Sequence, residues 1–382
     1  MELARRFRER PRLTALVAVL VLVLAVSSAV ARVSPGRRSG SMETPRAGAT
    51  ATLLADGRVL IAGGTTAPLS SDVVGTLASA ELYDPTTRTF TPTGSMSTPR
   101  SGQTATLLAD GRVLLVGGQD PLATEKAFAL ADIYDPRSGT FSPVGPMSRT
   151  PYGGSATQLL DARVLLVSAA VTTAQVFDPK SGTFSPTGSM TVVRLHGSQT
   201  LLSDGRVLIA GGWNPDSGDL ASAETYDPES GTFSLARSMS IGRAAQAATR
   251  LTDGRVLIIG GRDTYPAAVA SSELYDPKTG EFNSTGSMVA GRSDATATRL
   301  ADGRVLVAGG YNARNIDLTS AEIYDPITGT FSPTGPMAEG RVRDTATLLA
   351  DGRVLVAGGE GNNSVRSLAE IYDPRTGAFA PA

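Results

Sequence analysis

The string Asp-Gly-Arg-Val-Leu recurs along this 382-residue chain and constrains its fold more than any other feature. It starts at residues 56, 110, 204, 253, 302 and 351, and the variant Asp-Ala-Arg-Val-Leu starts at residue 161. Each copy is followed by Tyr-Asp-Pro or Phe-Asp-Pro and then by a further Phe. A period near 49 residues indicates seven structural units that bury their apolar faces against one another.

Each unit has the pattern of a small antiparallel sheet. Asp56-Gly57 is a two-residue hairpin turn, and Gly63-Gly64 closes the strand that follows it. Strands this short must pack sheet on sheet, and radial repetition does so while protecting the sheet edges. The sequence therefore predicts an all-β protein, a seven-bladed β-propeller of four-stranded antiparallel blades. In the first unit the predicted strands are Thr50–Leu54, Arg58–Ala62, Ala80–Tyr83 and Thr89–Thr91.

The repeat resembles the kelch family. The Gly-Gly pair, the Tyr of the third strand and the aromatic of the fourth carry this resemblance over residues 43–382, although Phe replaces the family's usual fourth-strand Trp. Seven units match the propeller of galactose oxidase, which implies a copper site built from His, Tyr and a Cys-linked Tyr. The chain has no Cys and only His196, so that chemistry does not carry over. We expect no cofactor and no metal.

The N-terminus carries the pattern of an export signal. Five Arg within residues 1–12 precede an apolar run, Leu13–Val26, and the small-residue site Ala29-Val30-Ala31. This predicts a signal peptide over residues 1–31 or, if it is uncleaved, an N-terminal hydrophobic helix that anchors the chain to the membrane. Either outcome makes the protein extracytoplasmic, secreted or anchored. The strong preference for Arg over Lys indicates a GC-rich, bacterial source.

Residues 32–42 are predicted to be a linker that ends in a ring-closing tag. Every unit but the last continues past its Phe into a short tag ending in Ser-Met or Pro-Met, and a spare copy, Gly40-Ser41-Met42, precedes the first unit. We expect this copy to complete the seventh blade. The net charge of -1 provides no basic field for nucleic acid, and without Cys the fold cannot depend on disulfides.

A basic and an acidic residue recur in six of the seven units. An Arg stands ten residues before the turn Asp, and an acid stands on the third strand; the third unit has Pro151 and Gln175 instead. Because the unit that loses the Arg also loses the acid, we predict buried Arg–carboxylate pairs, with an anion-capturing Arg ring as the alternative. The residues are Arg46, Arg100, Arg194, Arg243, Arg292 and Arg341, with Glu81, Asp132, Glu224, Glu273, Glu322 and Glu370.

Among residues 32–382, the aromatic residues that do not repeat all fall on the end of the propeller that carries the loops after Gly-Gly. Exposed aromatics beside acids and amides suit sugar rings or peptide side chains. We therefore predict a non-catalytic binding module for a glycan or an extracellular protein at this loop end. These aromatics are Phe128, Tyr152, Trp213, Tyr265 and Tyr311.

Two alternatives remain open at the sequence level. Asp294 and Asp344 stand at nearby places in neighbouring units, so a carbohydrate-active enzyme could use them as a carboxylate pair at the channel mouth. His196 has no nucleophile motif beside it, and we expect it to be a polar residue of the rim. The other alternative is a structural scaffold without a small ligand.

Overall fold

The chain divides into two units, Met1–Arg37 and Arg38–Ala382. The computed structural model describes residues 40–68, 75–119, 131–145, 147, 154–264 and 267–382. The predicted signal and hydrophobic helix lie outside these residues. Within them the structure consists of strands and turns, and no helix there has the length and apolar character needed to cross a bilayer.

Seven antiparallel sheets of four strands follow one another along the chain, as the repeat predicts. The strands of blades 1 to 3 are β1 (Thr50–Leu53), β2 (Val59–Ala62), β3 (Ser79–Asp84), β4 (Thr89–Ser95); β5 (Ser101–Leu107), β6 (Val113–Gln119), β7 (Ala131–Asp135), β8 (Thr140–Val144); β9 (Ser155–Gln158), β10 (Val164–Val167), β11 (Thr173–Asp178) and β12 (Thr183–Ser189).

Blades 4 to 7 have the same order, and three of them add a two-stranded hairpin between the second and third strands. Blades 4 and 5 comprise β13 (Ser198–Leu201), β14 (Val207–Ala210), the hairpin β15 (Trp213–Asn214) and β16 (Gly218–Asp219), β17 (Ala223–Asp227), β18 (Thr232–Leu235); β19 (Ala247–Arg250), β20 (Val256–Ile259), the hairpin β21 (Arg262–Thr264) and β22 (Ala267–Ala268), β23 (Ser272–Asp276) and β24 (Glu281–Ser284). Blades 6 and 7 comprise β25 (Thr296–Arg299), β26 (Val305–Ala308), β27 (Ala321–Asp325), β28 (Thr330–Thr334); β29 (Thr345–Leu348), β30 (Val354–Ala357), the hairpin β31 (Glu360–Gly361) and β32 (Ser364–Val365), β33 (Ala369–Asp373) and β34 (Ala378–Pro381).

The apolar core lies between neighbouring blades. The first strands of adjacent blades lie side by side around the axis, including β1 beside β29, so the ring is closed. The second strands are buried except for Gln119 at the end of β6, and their side chains alternate between the two adjoining seams: Leu60 packs toward blade 2, whereas Val59 and Ile61 pack toward blade 7. Each large side chain buried in this way contributes about 1.5–3 kcal/mol, which is the main driving force for the ring.

The segment that precedes the first blade joins the seventh. Ser41 pairs with Leu368, and the Met42 N–H donates to the Ser367 carbonyl at 2.8 Å. The Met96 N–H makes the equivalent bond to Ala78 within blade 1, at 2.9 Å. The Met42 side chain is buried in the core cluster shared by blades 7 and 1. Gly40–Met42 therefore supplies, from the start of the chain, the tag that the last blade lacks.

The third blade is the least regular copy. Ser168-Ala169 replaces its Gly-Gly pair, and Phe177 replaces the third-strand Tyr. In blades 2, 4, 6 and 7 the Tyr hydroxyl hydrogen-bonds a Thr of the preceding blade, as Tyr134 does with Thr93 at 3.0 Å. The residue that faces Phe177 from blade 2 is Val144, so the polar partner is absent where the hydroxyl is absent.

Candidate functional site

The strand order places all hairpin turns of the Asp-Gly type at one end of the ring, the turn end, and the loops after Gly-Gly at the other, the loop end. A cavity of about 1190 Å³ lies at the loop end and is lined by residues from every blade, so it is the mouth of the central channel. A smaller cavity of about 450 Å³ lies at the turn end between blades 1 and 2 and is lined mainly by the repeated turn residues.

Two repeated positions contribute nine of the residues that line the mouth. The entry position lies eight residues before each turn Asp, and the post-glycine position lies nine residues after it. The entry residues, of which Gly153 lies outside the described part, are Gly48, Gly102, Gly153, His196, Ala245, Asp294 and Arg343. The post-glycine residues are Thr65, Gln119, Ala170, Trp213, Arg262, Tyr311 and Glu360.

A belt of hydrogen bonds fixes the backbone at the entry positions. The Asp294 N–H donates to the Ala245 carbonyl at 3.0 Å, and the Ala245 N–H donates to the His196 carbonyl at 2.9 Å. The same bonds run from Gly102 to Gly48 and from Gly48 to Arg343. Every described entry residue has positive φ, including His196 at 56°, Asp294 at 53° and Arg343 at 55°. Side chains other than Gly are strained there, and such strain concentrates at functional sites.

The post-glycine residues lie directly beside the entry residues. Tyr311 forms a bridge with Ser293, the neighbour of Asp294, and Glu360 forms one with Val342, the neighbour of Arg343. Arg262 and Trp213 make the corresponding bridges in blades 5 and 4. The described blades thus share one backbone frame, from which blades 4 to 7 each present two side chains that vary from blade to blade, whereas blades 1 and 2 have glycine at the entry position.

The wall of the mouth is chemically asymmetric. Blades 1 and 2 contribute glycines and amides, among them Gly48, Gly102 and Gln103. Blades 4 to 7 contribute charged and aromatic residues. The main ones are His196, Arg262, Asp294, Tyr311, Arg343 and Glu360.

Asp294 is the half-buried acceptor of the mouth. The Ser293 hydroxyl donates to its carboxylate at 3.4 Å, and Tyr311 stands close enough to lower the pKa of that carboxyl. Burial raises the pKa of Asp294, while the electrostatic influence of His196 and the charge of Arg262 oppose that rise. The carboxylate therefore has the Ser293 hydroxyl and the Arg262 guanidinium near it, an arrangement suited to binding a polar ligand group.

Arg343 crosses the junction between the last and the first blades. One guanidinium nitrogen donates to the Glu360 carboxylate at 3.3 Å and another donates to the Ser101 hydroxyl of blade 2 at 3.3 Å. Its path lies over Gly48, where a Cβ atom would stand 2.7 Å from Nη2. The glycine leaves the space that lets this cation reach across the seam.

Asp344 and Asp294 do not form an accessible carboxylate pair. Asp344 stands one residue past the entry position, and both of its carboxylate oxygens are shielded from solvent although the residue as a whole is only half-buried. Neither oxygen has a hydrogen-bond partner among the described residues. Burial raises its pKa to about 7. Both acids therefore lie at the wall of the mouth, but the Asp344 carboxylate oxygens are turned into the seam beneath it and closed off from solvent.

The sequence-predicted aromatics have different positions. Tyr311 lines the mouth; Trp213 is 37% exposed on the hairpin of blade 4 and is not among the lining residues. Phe128, Tyr152 and Tyr265 lie outside the described residues. Sequence reasoning did not select Arg262, Arg343 and Glu360. Their fixed spacing from the turn Asp is the sequence feature that would have identified them.

The recurrent Arg and acid residues form six buried ion pairs. Arg46 and Glu81 are joined at 3.1 Å, and Glu81 also accepts the Glu43 N–H, so the pair fastens the incoming tag to the next blade. Because the guanidinium groups are enclosed, they are not available to a ligand in the mouth. The pairs are Arg46–Glu81, Arg100–Asp132, Arg194–Glu224, Arg243–Glu273, Arg292–Glu322 and Arg341–Glu370.

Comparison with known proteins agrees with this architecture. The Kelch motif family matches residues 194–240 and 296–338. The chain is a kelch-repeat propeller. A solved structure described as a novel fungal alcohol oxidase with catalytic diversity among the AA5 family, in complex with copper, has a TM-score of 0.70 to this kelch propeller. The two chains are 18% identical over 89% of this chain and 75% of the other, a likeness of fold alone.

A comparison with curated proteins found no match to the kelch propeller. The copper in the fungal enzyme raises the question of whether this chain could hold a metal. Over the residues that the structure describes, no three side chains of the metal-binding types come together. With a single His and no Cys in the sequence, the donor set does not fit a copper centre of the galactose-oxidase kind.

Proposed function

We propose that this protein is a non-catalytic, extracytoplasmic binding module that receives a charged segment of a partner protein in the channel mouth. One observation carries the proposal. Entry and post-glycine positions share a backbone frame in the described blades, yet their residues differ from blade to blade and most of them line one cavity. Residues needed only to build the ring would repeat, as the buried ion pairs do.

The composition of the mouth favours a protein segment over a glycan. Arg262 and Arg343 stand near Asp294 and Glu360, so a ligand that offers both charge signs finds partners on the same wall. Sugar recognition typically uses aromatic platforms, and Tyr311 is the one aromatic among the described lining residues. Kelch propellers also serve generally as protein-interaction modules.

The enzymatic alternative finds less support. Hydrolysis by two carboxylates needs both of them to face the substrate, and the Asp344 oxygens are closed off from solvent. A scaffold without a site would not require strained backbone under His196, Asp294 and Arg343.

A display experiment tests the binding proposal. The full chain is screened against a random-peptide display library and, in parallel, a glycan array. We expect peptides rich in charge to be enriched, and Tyr311→Ala to weaken their binding at least tenfold because it removes an aromatic wall of the mouth. Ile327→Ala is the matched control, since Ile327 is 94% exposed at the turn end. Glycan ligands that depend on Tyr311 would replace the protein proposal. Binders insensitive to Tyr311→Ala would refute the site.

The extracytoplasmic location is a separate part of the proposal and rests on residues 1–31. Mass spectrometry of the chain recovered from its producing cells tests it. An N-terminus near Arg32 indicates cleavage and release, and an intact N-terminus in the membrane fraction indicates an anchor. Recovery of the intact chain from the cytoplasm would contradict both forms.

A further inference from the structure

The position that follows the entry residue faces the seam between two blades. In blades 2 and 5 it is glutamine, and the side-chain amide ties the blade to its predecessor. Gln103 Nε2 donates to the Ala62 carbonyl at 2.7 Å, and Gln246 Nε2 donates to the Ala210 carbonyl at 2.8 Å. The seven residues at this position are Ala49, Gln103, Gly154, Gly197, Gln246, Ala295 and Asp344.

Asp344 occupies the same place in the seam between blades 6 and 7. Its side chain lies beside Gly309, as Gln246 lies beside Gly211 in the seam between blades 4 and 5. The carbonyl equivalent to that of Ala210 belongs to Ala308. An ionised carboxylate has no N–H or O–H to offer such a carbonyl, whereas a protonated carboxyl has one donor. If Asp344 is ionised, its carboxylate would therefore face this buried carbonyl as a second acceptor, with no proton to share between them.

We propose that Asp344 makes the seam between blades 6 and 7 dependent on a proton: the seam is tight when the carboxyl is neutral and loosened when it ionises. The unpartnered, shielded oxygens and the amides at the equivalent positions of two other blades carry this inference. It concerns the fold and does not depend on the ligand of the mouth. Because Asp344 adjoins Arg343, the loosening would reach the entry belt.

The charged groups that act on Asp344 are Arg341 and Glu370. Arg341 lowers its pKa and Glu370 raises it, and the two form one buried ion pair, so their effects oppose each other. Burial is the largest cause of the rise to about 7.

The sign of the pH dependence follows from this rise. In the unfolded chain an Asp titrates near about 3.9. Between about pH 4 and about pH 7 the folded chain holds a proton that the unfolded chain has lost, so this group's contribution to stability falls as pH rises. The folding equilibrium constant should drop by up to about tenfold per pH unit in this window and stay level above it.

The decisive experiment compares wild type with Asp344→Asn in urea unfolding from pH 5 to pH 8. Asn keeps the size of the side chain and cannot ionise. We expect the ratio of the two folding constants, wild type over variant, to fall by about tenfold or more between pH 5 and pH 7 and then to level off. The ratio cancels the titration of the other carboxylates. A ratio that stays constant over this range would overturn the proposal.

Gln246→Glu is the matched variant that should introduce the same proton dependence into another seam. It places a carboxyl at the equivalent point of the seam between blades 4 and 5, where the amide now donates to Ala210. We expect this variant to acquire an additional loss of stability between pH 5 and pH 7 relative to wild type. If Asp344→Asn does not fold, this comparison decides the matter, and an unchanged pH profile in Gln246→Glu counts against the proposal.

Discussion

The two ends of the propeller both carry a repeated Arg–acid ion pair, but the pairs differ in burial. At the loop end Arg292 and Glu322 are 1% and 2% exposed. At the turn end Arg304 and Asp302 are 39% and 48% exposed, although their separation of 2.7 Å is shorter. Distance is therefore a poor guide to the energetic role of an ion pair, and burial is the better one.

The two ends also differ in how far their residues vary from blade to blade. The turn end repeats the turn Asp, the Arg two residues after it and the Asp-Pro pair in every blade, and its smaller cavity is lined mainly by residues of these turns. The loop end places a buried, repeated layer beneath a surface of variable residues. The repeated layer stabilises the contacts between blades. The variable layer can differ from blade to blade because it contributes little to the stability of the fold.

The largest expected effect comes from breaking a loop-end pair. Glu322→Ala leaves the Arg292 guanidinium buried without its carboxylate, and we expect it to lower the free energy of unfolding by about 3–5 kcal/mol. Urea unfolding measures this loss. Replacing both partners, Arg292→Met with Glu322→Met, should recover only part of it: no charge is then stranded, but the Gly309 and Ser320 carbonyls and the Val289 N–H lose their partners. A loss below about 1 kcal/mol in the single variant would mean that burial does not set the role of the pair.

An intermediate effect is expected at the edge of the mouth. Gly48 and Gly102 have φ of 62° and 66°, but a Cβ at Gly48 would stand 2.7 Å from Arg343, whereas one at Gly102 meets nothing within 4 Å. Both Gly→Ala changes should cost about 1–2 kcal/mol for the backbone. Only Gly48→Ala should also displace Arg343 and weaken peptide binding in the display assay. Equal binding by the two variants would show that Arg343 takes no part in recognition.

The smallest effect is expected at the turn end. Arg304→Ala removes an exposed guanidinium that is paired with Asp302, and we expect a change in unfolding free energy within about 0.5 kcal/mol. Thermal unfolding and the display assay should both give wild-type values. A loss as large as that of Glu322→Ala would erase the distinction between the two ends.

The sequence predicted the blades well because each depends on local signals. The recurrent Asp-Gly turn, the Gly-Gly pair and the Phe mark strand ends, and the structure places β1 and β2 within one residue of the predicted bounds. The third strand is longer than predicted by one residue at each end, and β4 extends to Ser95 because the tag continues the pairing with Ser79.

The mouth was predictable only in outline. Its location at the loop end follows from strand order, but the selection of residues by type favoured aromatics and overlooked Arg343. Whether the Asp344 carboxylate is open to the mouth or shielded in a seam depends on one position along the entry segment, and only the three-dimensional contacts resolve that. Aligning the seven repeats on the turn Asp distinguishes the two residues, because Arg343 stands at the entry position and Asp344 at the position after it.

Photo-crosslinking tests the central claim, that the loop-end mouth is the binding site, most directly. A benzoyl-phenylalanine is placed at Tyr311 in one sample and at Ile327 in another, and each is irradiated with a peptide selected by the wild-type chain. The account predicts an adduct from position 311, in the mouth, and none from position 327, which is 94% exposed at the turn end. An adduct from position 327 with none from position 311 would contradict it.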